Sequence, residues 1–312
     1  MVVQFFKKRG IFMAKLFECI PNFSEGRDSD KIEMIVEPFR KNGKVKLLNY
    51  SADKDHNRLV VTLLGGYAGL RYSVIEAMER AIELIDMNKH KGEHPRMGAV
   101  DVVPFTPVKN VEMKDAVKLA NEVAEKAADK FKLPIYLYEE AAKTVERKNL
   151  ADIRRGEYEG FKDKIKKEKW KPDYGPTKLH KTAGATVIGA RMPLVAFNIN
   201  LATSDIQIAN KIAKKIRNSN GGLRYVKAIG INLKEKDIVQ VSMNMTDYTQ
   251  TSLYQSFEMV KIEAKRYGVN ISGSEIIGLL PAKALFDSAE YYLRLNDFKE
   301  EQVMENRLLE DL

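Results

Sequence analysis

Residues 90–98 (HKGEHPRMG) concentrate side chains that can exchange protons. They include His90 and His94, two of only four histidines in the 312-residue chain, and Asp101 follows shortly after them. Imidazole titrates near neutral pH, and loops held between rigid elements often carry catalytic groups. We therefore take His94 as a candidate acid–base catalyst, with a structural hydrogen-bonding role as the alternative.

His90 and His94 also have the i, i+4 spacing of a helical zinc pair. Gly92 and Pro95 interrupt helix formation around them, and no third ligand is evident nearby. Cys19 is the single cysteine, so neither a Cys-x-x-Cys metal site nor an internal disulfide is possible. The sequence therefore predicts no metal site.

Two arginines are candidates for binding substrate carboxylates. Arg58 ends the polar turn 53–58 (DKDHNR), and Arg96 lies beside the histidines. Guanidinium groups pair with carboxylates through two parallel hydrogen bonds. For residues 53–58 the alternative is a turn of solvated charges. Asp101 is a candidate for orienting either His94 or a ligand.

Residues 22–27 (NFSEGR) follow the first predicted strand directly, at a strand end where ligands often bind. The same residues also suit a turn into the next helix, because the side chains of Ser24, Asp28 and Ser29 are of the types that cap helix N-termini. Both interpretations stay open.

Residues 172–186 (PDYGPTKLHKTAGAT) contain two prolines and two glycines, which indicates irregular structure at the junction of the two halves. An interdomain linker of this kind needs no ligand. As a loop lining a pocket, however, its Tyr174, Lys178 and Lys181 would suit an aromatic, anionic molecule. The glycine-rich pattern of a phosphate-binding loop is absent.

The elements that must position these segments are clearest in the second half, where hydrophobic spacing alternates between strand and helix periods. A glycine, Gly268, ends the last helix in the position that C-caps prefer. The predicted elements are a strand at 194–201, a helix at 205–216, strands at 225–233 and 238–245, a helix at 251–267 and a strand at 269–272.

The first half repeats the same βαββαβ order less cleanly. Its predicted elements are a strand at 17–20, a helix at 29–41, strands at 45–53 and 59–64, a helix at 71–87 and a strand at 100–106. Beyond them we predict a helix at 114–130, a strand at 135–138 and a charged helical stretch to about residue 169. These additions would either cover the first domain or bridge the halves.

Two such units predict an α+β protein built from two ferredoxin-like βαββαβ subdomains. In this arrangement helices cover one face of each antiparallel sheet, so we expect the two sheets to face each other across a ligand cleft or tunnel. The expected boundaries are a dispensable leader at 1–14, an N-terminal subdomain at 15–193 and a C-terminal subdomain at 194–312.

The composition, with 44% hydrophobic and 30% charged residues, is that of an ordinary globular protein. No apolar stretch is long enough to span a membrane, and the single cysteine suits the reducing cytoplasm. The net charge of +9 favours anionic ligands. The basic run 162–171 is interrupted by acidic residues and lacks the aromatic pattern of RNA-binding sheets, so we expect neither nucleic-acid nor membrane partners.

Four motifs, in the same order along the chain, resemble those of the glutamate formiminotransferase family. They are residues 19–26 (CIPNFSEG), 92–105 (GEHPRMGAVDVVPF), 172–176 (PDYGP) and 196–201 (AFNINL). The resemblance spans about residues 15 to 298. It covers only the transferase part of the fused transferase–cyclodeaminase enzymes of animals, so we expect a separate cyclodeaminase.

The resemblance implies transfer of the formimino group of N-formimino-L-glutamate to tetrahydrofolate, a co-substrate, in histidine degradation by a homodimer. It also implies that His94 is catalytic and that the folate-binding stretch begins at the glycine of the PDYGP motif. That stretch differs from the animal pattern in its middle. Its residues here are Gly175, Pro176, Thr177, Lys178, Leu179, His180, Lys181, Thr182, Ala183 and Gly184.

Three other functions are compatible with parts of this pattern. A cyclo-ligase type enzyme would process 5-formyltetrahydrofolate with ATP, although no nucleotide-binding loop is evident. A non-catalytic folate-binding protein would keep residues 175–184 without using His94. A basic nucleic-acid-binding protein would bind single strands with a steep dependence on salt.

Overall fold

The computed structural model describes residues 15–310 and contains two compact units, one ending at Arg191 and the other beginning at Met192. Each unit holds one β-sheet and several helices, so the predicted mixed α and β composition is confirmed. Among the described residues no helix is both long and apolar enough to cross a membrane. The predicted leader at 1–14 lies outside the described residues.

The first unit contains seven strands and five α-helices within its described residues. The strands are β1 Leu16–Cys19, β2 Asn22–Phe23, β3 Val45–Asp53, β4 Arg58–Gly65, β5 Val100–Lys109, β6 Ile135–Glu139 and β7 Thr186–Ala190. The helices are α1 Ser29–Lys41, α2 Tyr67–Leu84, α3 Met113–Phe131, α4 Leu150–Arg154 and α5 Glu157–Lys164.

The sheet of the first unit is mixed rather than purely antiparallel. β1 and β2 both lie between β4 and β5, and β3 pairs with the other edge of β4. Beyond β5 the sheet continues through β7 to β6, and these three strands are parallel. The sequence analysis did not predict that β6 and β7 extend the first sheet. They do so because α3 is a crossover helix that returns the chain to the same sheet after β5.

Helix α1 illustrates why the local sequence folds as it does. Asp28 is its N-cap, and the carboxylate accepts hydrogen bonds from the backbone amides of Asp30 and Lys31. The buried side chains recur at the spacing of one helical face, which packs on the sheet. They are Ile32, Ile35, Val36 and Phe39.

The second unit has the predicted βαββαβ order. Its elements are β8 Val195–Leu201, α6 Ile206–Ile216, β9 Val226–Leu233, β10 Ile238–Met245, α7 Leu253–Lys265 and β11 Ile271–Ile277, followed by α8 Ala282–Leu293 and α9 Met304–Glu310. The strand order is β11-β8-β10-β9, and every pair is antiparallel. The sequence did not reveal α8 or α9.

Helices α6 and α7 pack on one face of the second sheet, where alternate residues of β8 such as Phe197 and Ile199 join the apolar core. The intervening residues of β8, including Asn198 and Asn200, lie on the opposite face. The expectation that this face meets the first sheet across a cleft stays a prediction.

A buried ion pair fixes the segment that follows α5 to the edge strand β6. Arg147 Nη1 lies 2.6 Å from Asp173 Oδ2, and the two side chains are 7% and 3% exposed. The same carboxylate oxygen accepts a hydrogen bond of 2.8 Å from the amide of Leu137 in β6.

We expect Asp173→Ala to lower the free energy of unfolding by about 3–5 kcal/mol, because it leaves the Arg147 charge buried without a carboxylate partner. Urea denaturation followed by circular dichroism measures the change. Asp163→Ala is the matched control, because that carboxylate is 85% exposed and pairs only with the exposed Lys166. Equal midpoints for the two variants would show that the buried pair does not stabilise the fold.

Candidate active site

The loop that carries His94 joins α2 to β5 and is held at its C-terminal end. The amide of Met97 donates a 2.9 Å hydrogen bond to Asp101 Oδ1. Backbone bonds connect Ala99 N to Ala183 O at 2.9 Å and Ala185 N to Met97 O at 3.1 Å. The loop is therefore attached to the 183–185 segment, which is distant in sequence.

Two glycines allow this loop to lie against its neighbours. A Cβ atom on Gly92 would lie 2.3 Å from the carbonyl oxygen of His56, which is backbone that cannot rotate away. Gly184 has a φ of +72°, and a Cβ atom there would lie 2.3 Å from Met97 O. Neither position can hold a side chain without moving the loop.

His94 is half-buried in a small polar cavity of about 10 Å³, which is room for about one water. Residues from three separate segments line it, so the fold brings together side chains that are far apart in sequence. They are Phe23, Ser24, His56, Asn57, Arg58, His90, His94, Arg96 and Asp101.

Burial, followed by the positive charges of Arg58 and Arg154, lowers the pKa of His94 to about 3. Burial disfavours the charged imidazolium, and neighbouring cations disfavour it as well. The imidazole is therefore neutral at physiological pH and has a free lone pair that can accept a proton.

His56 packs edge-to-face against His94, with ring centroids 6.2 Å apart and an angle of 78° between the ring planes. Its Nδ1 lies 3.0 Å from Asp53 Oδ2, and this contact lowers the pKa of the Asp53 carboxyl. The turn 53–58 thus contributes to the cavity. The interpretation of this turn as solvated is only partly correct, because His56 is half exposed whereas Asn57 is buried.

His90 and Arg96 are engaged in structural contacts. His90 Nε2 lies 3.1 Å from Asn57 O, and Arg96 Nε donates to His90 Nδ1 at 3.2 Å. The guanidinium of Arg96 also pairs with Glu157 and Glu159, each at 2.6 Å. Arg96 is therefore poorly placed to anchor a substrate. Within residues 15–310, no group of three or more acidic, histidine or cysteine residues has metal-binding geometry.

Arg58 is the stronger candidate for binding a carboxylate. It donates to Asn22 Oδ1, with Nε at 2.9 Å, and no carboxylate of the described residues forms an ion pair with it. Burial and the neighbouring charge of Arg154 lower the pKa of Arg58. Two guanidinium groups held close together favour an anion between or beside them.

Arg154 was not identified from the sequence. It lies in α4, within a stretch that the sequence predicted as charged and helical, and it is 14% exposed. Its guanidinium pairs with Asp101, and its buried Nε has no hydrogen-bond partner among the described residues. Asp101 therefore orients Arg154 and the Met97 amide rather than His94.

The segment 22–27 leads into helix α1 and also contributes to the cavity, while its predicted role in ligand binding stays a prediction. Ser24 Oγ donates a 2.8 Å hydrogen bond to Gly98 O, which ties this segment to the end of the His94 loop. Helix capping falls to Asp28 rather than to Ser24 or Ser29. Ser24 and Phe23 also line the cavity.

The predicted folate-binding stretch has an exposed first half and a buried end. Residues 175–178 are exposed, whereas Ala183 and Gly184 are buried against the His94 loop. Between them, the Nδ1 atom of His180 accepts hydrogen bonds from the amides of Thr182 and Ala183, at 3.3 and 3.0 Å. His180 therefore stabilises the turn through its ring.

A groove of about 500 Å³ adjoins the cavity and shares His90 and Arg96 with it. Its other lining residues include Lys91, Lys162 and Asn88. The Asn88 side-chain amide donates to Lys181 O at 3.0 Å, so the groove borders the 180–184 turn. Its volume lies within the usual range of about 300–1,000 Å³ for small-molecule sites.

Two family profiles match the chain in succession. Residues 16–191 match the formiminotransferase domain, N-terminal subdomain, and residues 196–309 match the formiminotransferase domain. The chain belongs to the formiminotransferase family. Within residues 16–309 the two matches leave only residues 192–195 uncovered.

Individual relatives support the same assignment. The chain is 52% identical to the glutamate formimidoyltransferase of Streptococcus pyogenes serotype M1, over 95% of this chain and 100% of that protein. It is 45% identical to the glutamate formimidoyltransferase of Thermoplasma acidophilum, over 94% and 97% respectively. The formimidoyltransferase-cyclodeaminase of Dictyostelium discoideum is 43% identical over 90% of this chain, which spans 53% of that relative.

In this formiminotransferase fold we expect Gly92→Ala to displace the loop that carries His94, because the new methyl group collides with the backbone of His56. The free energy of unfolding should fall by about 1–3 kcal/mol. Thermal unfolding measures this change. Gly43→Ala is the control, because a Cβ atom there meets nothing within 4 Å. An unchanged midpoint for Gly92→Ala would mean that the loop accommodates a side chain.

Proposed function

We propose that this protein transfers the formimino group of N-formimino-L-glutamate to tetrahydrofolate, giving 5-formiminotetrahydrofolate and L-glutamate. The observation that carries the proposal is the full-length similarity to two glutamate formimidoyltransferases, combined with a neutral His94 beside two arginines. The proposed catalytic residue is His94. No step of the proposed reaction requires a metal.

The proposed reaction needs one proton to move between two nitrogens. N5 of tetrahydrofolate attacks the formimino carbon, so a carbon–nitrogen bond forms, the C=N π bond opens onto the formimino nitrogen, and N5 becomes an ammonium. His94 accepts the proton from N5 and returns it to the glutamate nitrogen. The bond between that nitrogen and carbon then breaks as the formimino C=N bond re-forms. Acid–base help of this kind typically accelerates a reaction by about 10² to 10⁴.

The arginines explain how one histidine can serve in both steps. In the free protein burial, together with the Arg58 and Arg154 charges, keeps His94 unprotonated and ready to accept a proton. A carboxylate of formiminoglutamate at these guanidinium groups would cancel much of their field, and the pKa of His94 would rise toward neutrality. Substrate binding would thus improve His94 as a base at the moment it is needed.

We propose residues 175–184 as the folate-binding stretch. Two observations support this assignment: the buried end of the stretch bonds to the His94 loop, and its turn borders the 500 Å³ groove with Lys91 and Lys162 at its wall. The lysines would attract the glutamyl carboxylates of folate. Thr182 O, which accepts a 2.8 Å bond from Met87 N, fixes the turn in place.

We also propose that the protein acts as a cytoplasmic homodimer. Cys19, the single cysteine, is a buried free thiol, which suits a reducing compartment. The homodimer is what the family resemblance implies, and the mass of the protein in solution tests it.

An absorbance assay for 5-formiminotetrahydrofolate tests the proposed activity directly. Purified protein is supplied first with formiminoglutamate and tetrahydrofolate, and then with 5-formyltetrahydrofolate and ATP. We expect product in the first mixture. Turnover only in the second would favour a cyclo-ligase, and folate binding without any turnover would favour a storage protein.

For His94→Ala we expect kcat to fall by about a hundredfold or more, because proton transfer between the nitrogens is lost, while folate affinity is nearly unchanged. Steady-state kinetics and fluorescence titration with 5-formyltetrahydrofolate provide the two measurements. Glu93→Ala, at the exposed neighbouring residue, is the matched control. Full transfer activity in His94→Ala would exclude the catalytic role.

For Arg58→Met we expect two changes. The KM for formiminoglutamate should rise by about tenfold or more, because a charged hydrogen-bond donor is lost. The acidic limb of the pH profile of kcat/KM should also move to higher pH. Removing this cation raises the pKa of His94, so the imidazole becomes protonated at a higher pH than in the wild type.

Arg155→Met is the control for Arg58→Met, because it removes an arginine that is 80% exposed and next to Arg154. Its pH profile should match that of the wild type. An unshifted acidic limb in Arg58→Met would mean that Arg58 does not act on the catalytic group.

A further inference from the structure

Arg154 lies at the end of a helix that is too short to hold itself in place. Helix α4 has five residues, Leu150–Arg154, and the chain leaves it through Arg155 and Gly156, whose φ is +94°. An isolated helix of this length is unstable in water, and the carbonyls of its last turn have no partner within it. The place of Arg154 therefore depends on contacts from outside α4.

Lys164, the last residue of α5, supplies three of these contacts. Its Nζ donates to the backbone oxygens of Asp152 and Ile153, each at 2.7 Å, and to that of Arg155 at 3.1 Å. An ammonium group has three N–H donors, so all three are used. The accepting carbonyls lie on both sides of Arg154 along the chain. One side chain thus fixes the backbone that carries this arginine.

Aromatic rings also contact the ammonium group. Lys164 Nζ lies 4.0 Å from the centroid of the Trp170 ring and 5.4 Å from that of the Phe161 ring. Trp170 is 9% exposed and Phe161 is fully buried, so both rings are packed in the core. A cation over an aromatic face is attracted by the electrons of the ring. Lys164 is therefore bound to α4 and to buried rings at once.

The position of Arg154 matters because its own side chain has few anchors. Its guanidinium pairs with Asp101, but its buried Nε has no hydrogen-bond partner among the described residues. Burial lowers the pKa of both His94 and Arg58, and the charge of Arg154 contributes to lowering both. Interactions between charges weaken with distance, so a displaced last turn of α4 would change the field at His94.

We propose that Lys164 is a positioning residue, which holds the last turn of α4 so that Arg154 stays beside His94. For the transfer reaction the inference rests on the proposed function, in which Arg58 and Arg154 receive a substrate carboxylate. Lys164 is not among the residues that line the cavity or the adjoining groove. Its effect on transfer therefore passes through Arg154.

For Lys164→Met, which keeps an unbranched side chain but donates no hydrogen bond, we expect two changes. The acidic limb of the pH profile of kcat/KM should move up by about half a pH unit or more, because a displaced Arg154 no longer lowers the pKa of His94. The KM for formiminoglutamate should rise by about fivefold or more, with a smaller change in kcat, because a cationic anchor is displaced. Arg154→Met should move both quantities in the same direction.

Lys166→Met is the matched control, because it makes the same change at a lysine that is 72% exposed and pairs with Asp163. Its pH profile and KM should equal those of the wild type. The double variant Arg154→Met/Lys164→Met separates positioning from general destabilisation. If Lys164 acts through Arg154, the acidic limb of the double variant coincides with that of Arg154→Met alone. Additive shifts would overturn the inference.

NMR titration of the histidine imidazoles, assigned with His94→Ala, measures the pKa of His94 without turnover. We expect this pKa to rise in Lys164→Met and in Arg154→Met. Thermal unfolding verifies that each variant is folded. Lys164→Gln is the milder replacement if Lys164→Met does not fold, because its neutral amide keeps two of the three donors. It should raise the pKa of His94 by less.

A folded Lys164 variant in which His94 titrates as in the wild type contradicts the positioning role. That result is distinguishable from failure of the proposed function, which is read from wild-type turnover of formiminoglutamate. A raised pKa of His94 in the Lys164 variant, with no further rise in the double variant, supports the inference.

Discussion

The candidate active site depends on one close approach between two stretches of backbone. Residues 97–99 and 183–185 exchange hydrogen bonds, and a Cβ atom on Gly98 or Gly184 would lie within 2.5 Å of a carbonyl oxygen of the facing stretch. This contact fixes the end of the His94 loop at the start of β5. It also brings the far end of the proposed folate-binding stretch to the same place, although about 85 residues of chain separate the two.

A second constraint is electrostatic. His94 lies near Arg58 and Arg154. Asp101 forms an ion pair with Arg154, and the charges of Asp101 and Asp53 act on Arg58 at longer range. Arg58 therefore has no direct carboxylate partner among the described residues, at the place where the substrate is expected to bring negative charge. Arg96, by contrast, pairs directly with Glu157 and Glu159. Arg58 and Arg96 thus differ in their carboxylate partners, which their positions in the sequence motifs do not reveal.

Much of the fold follows from the sequence, because periodicity is a local property. Helix α1 and strands β3 and β10 have the predicted bounds, and the βαββαβ order of the second unit is as expected. Strand β7 was missed because five fully buried residues after an irregular segment have no alternation. In the candidate site, His94 and Arg58 were proposed from residue type. Arg154 was not, because its position depends on how distant segments pack.

The pair of guanidinium groups beside His94 has a practical consequence for handling the protein. In the resting state the partly buried Arg58 has no carboxylate partner within the described part of the chain, and such groups collect small anions from solution. Phosphate, sulfate and citrate in a buffer would occupy the place of a substrate carboxylate and act as competitive inhibitors. The apparent affinity for formiminoglutamate would then depend on the buffer as much as on the ligand. A buffer with bulky or weakly coordinating anions would give an apparent affinity closer to that of the protein for its ligand alone.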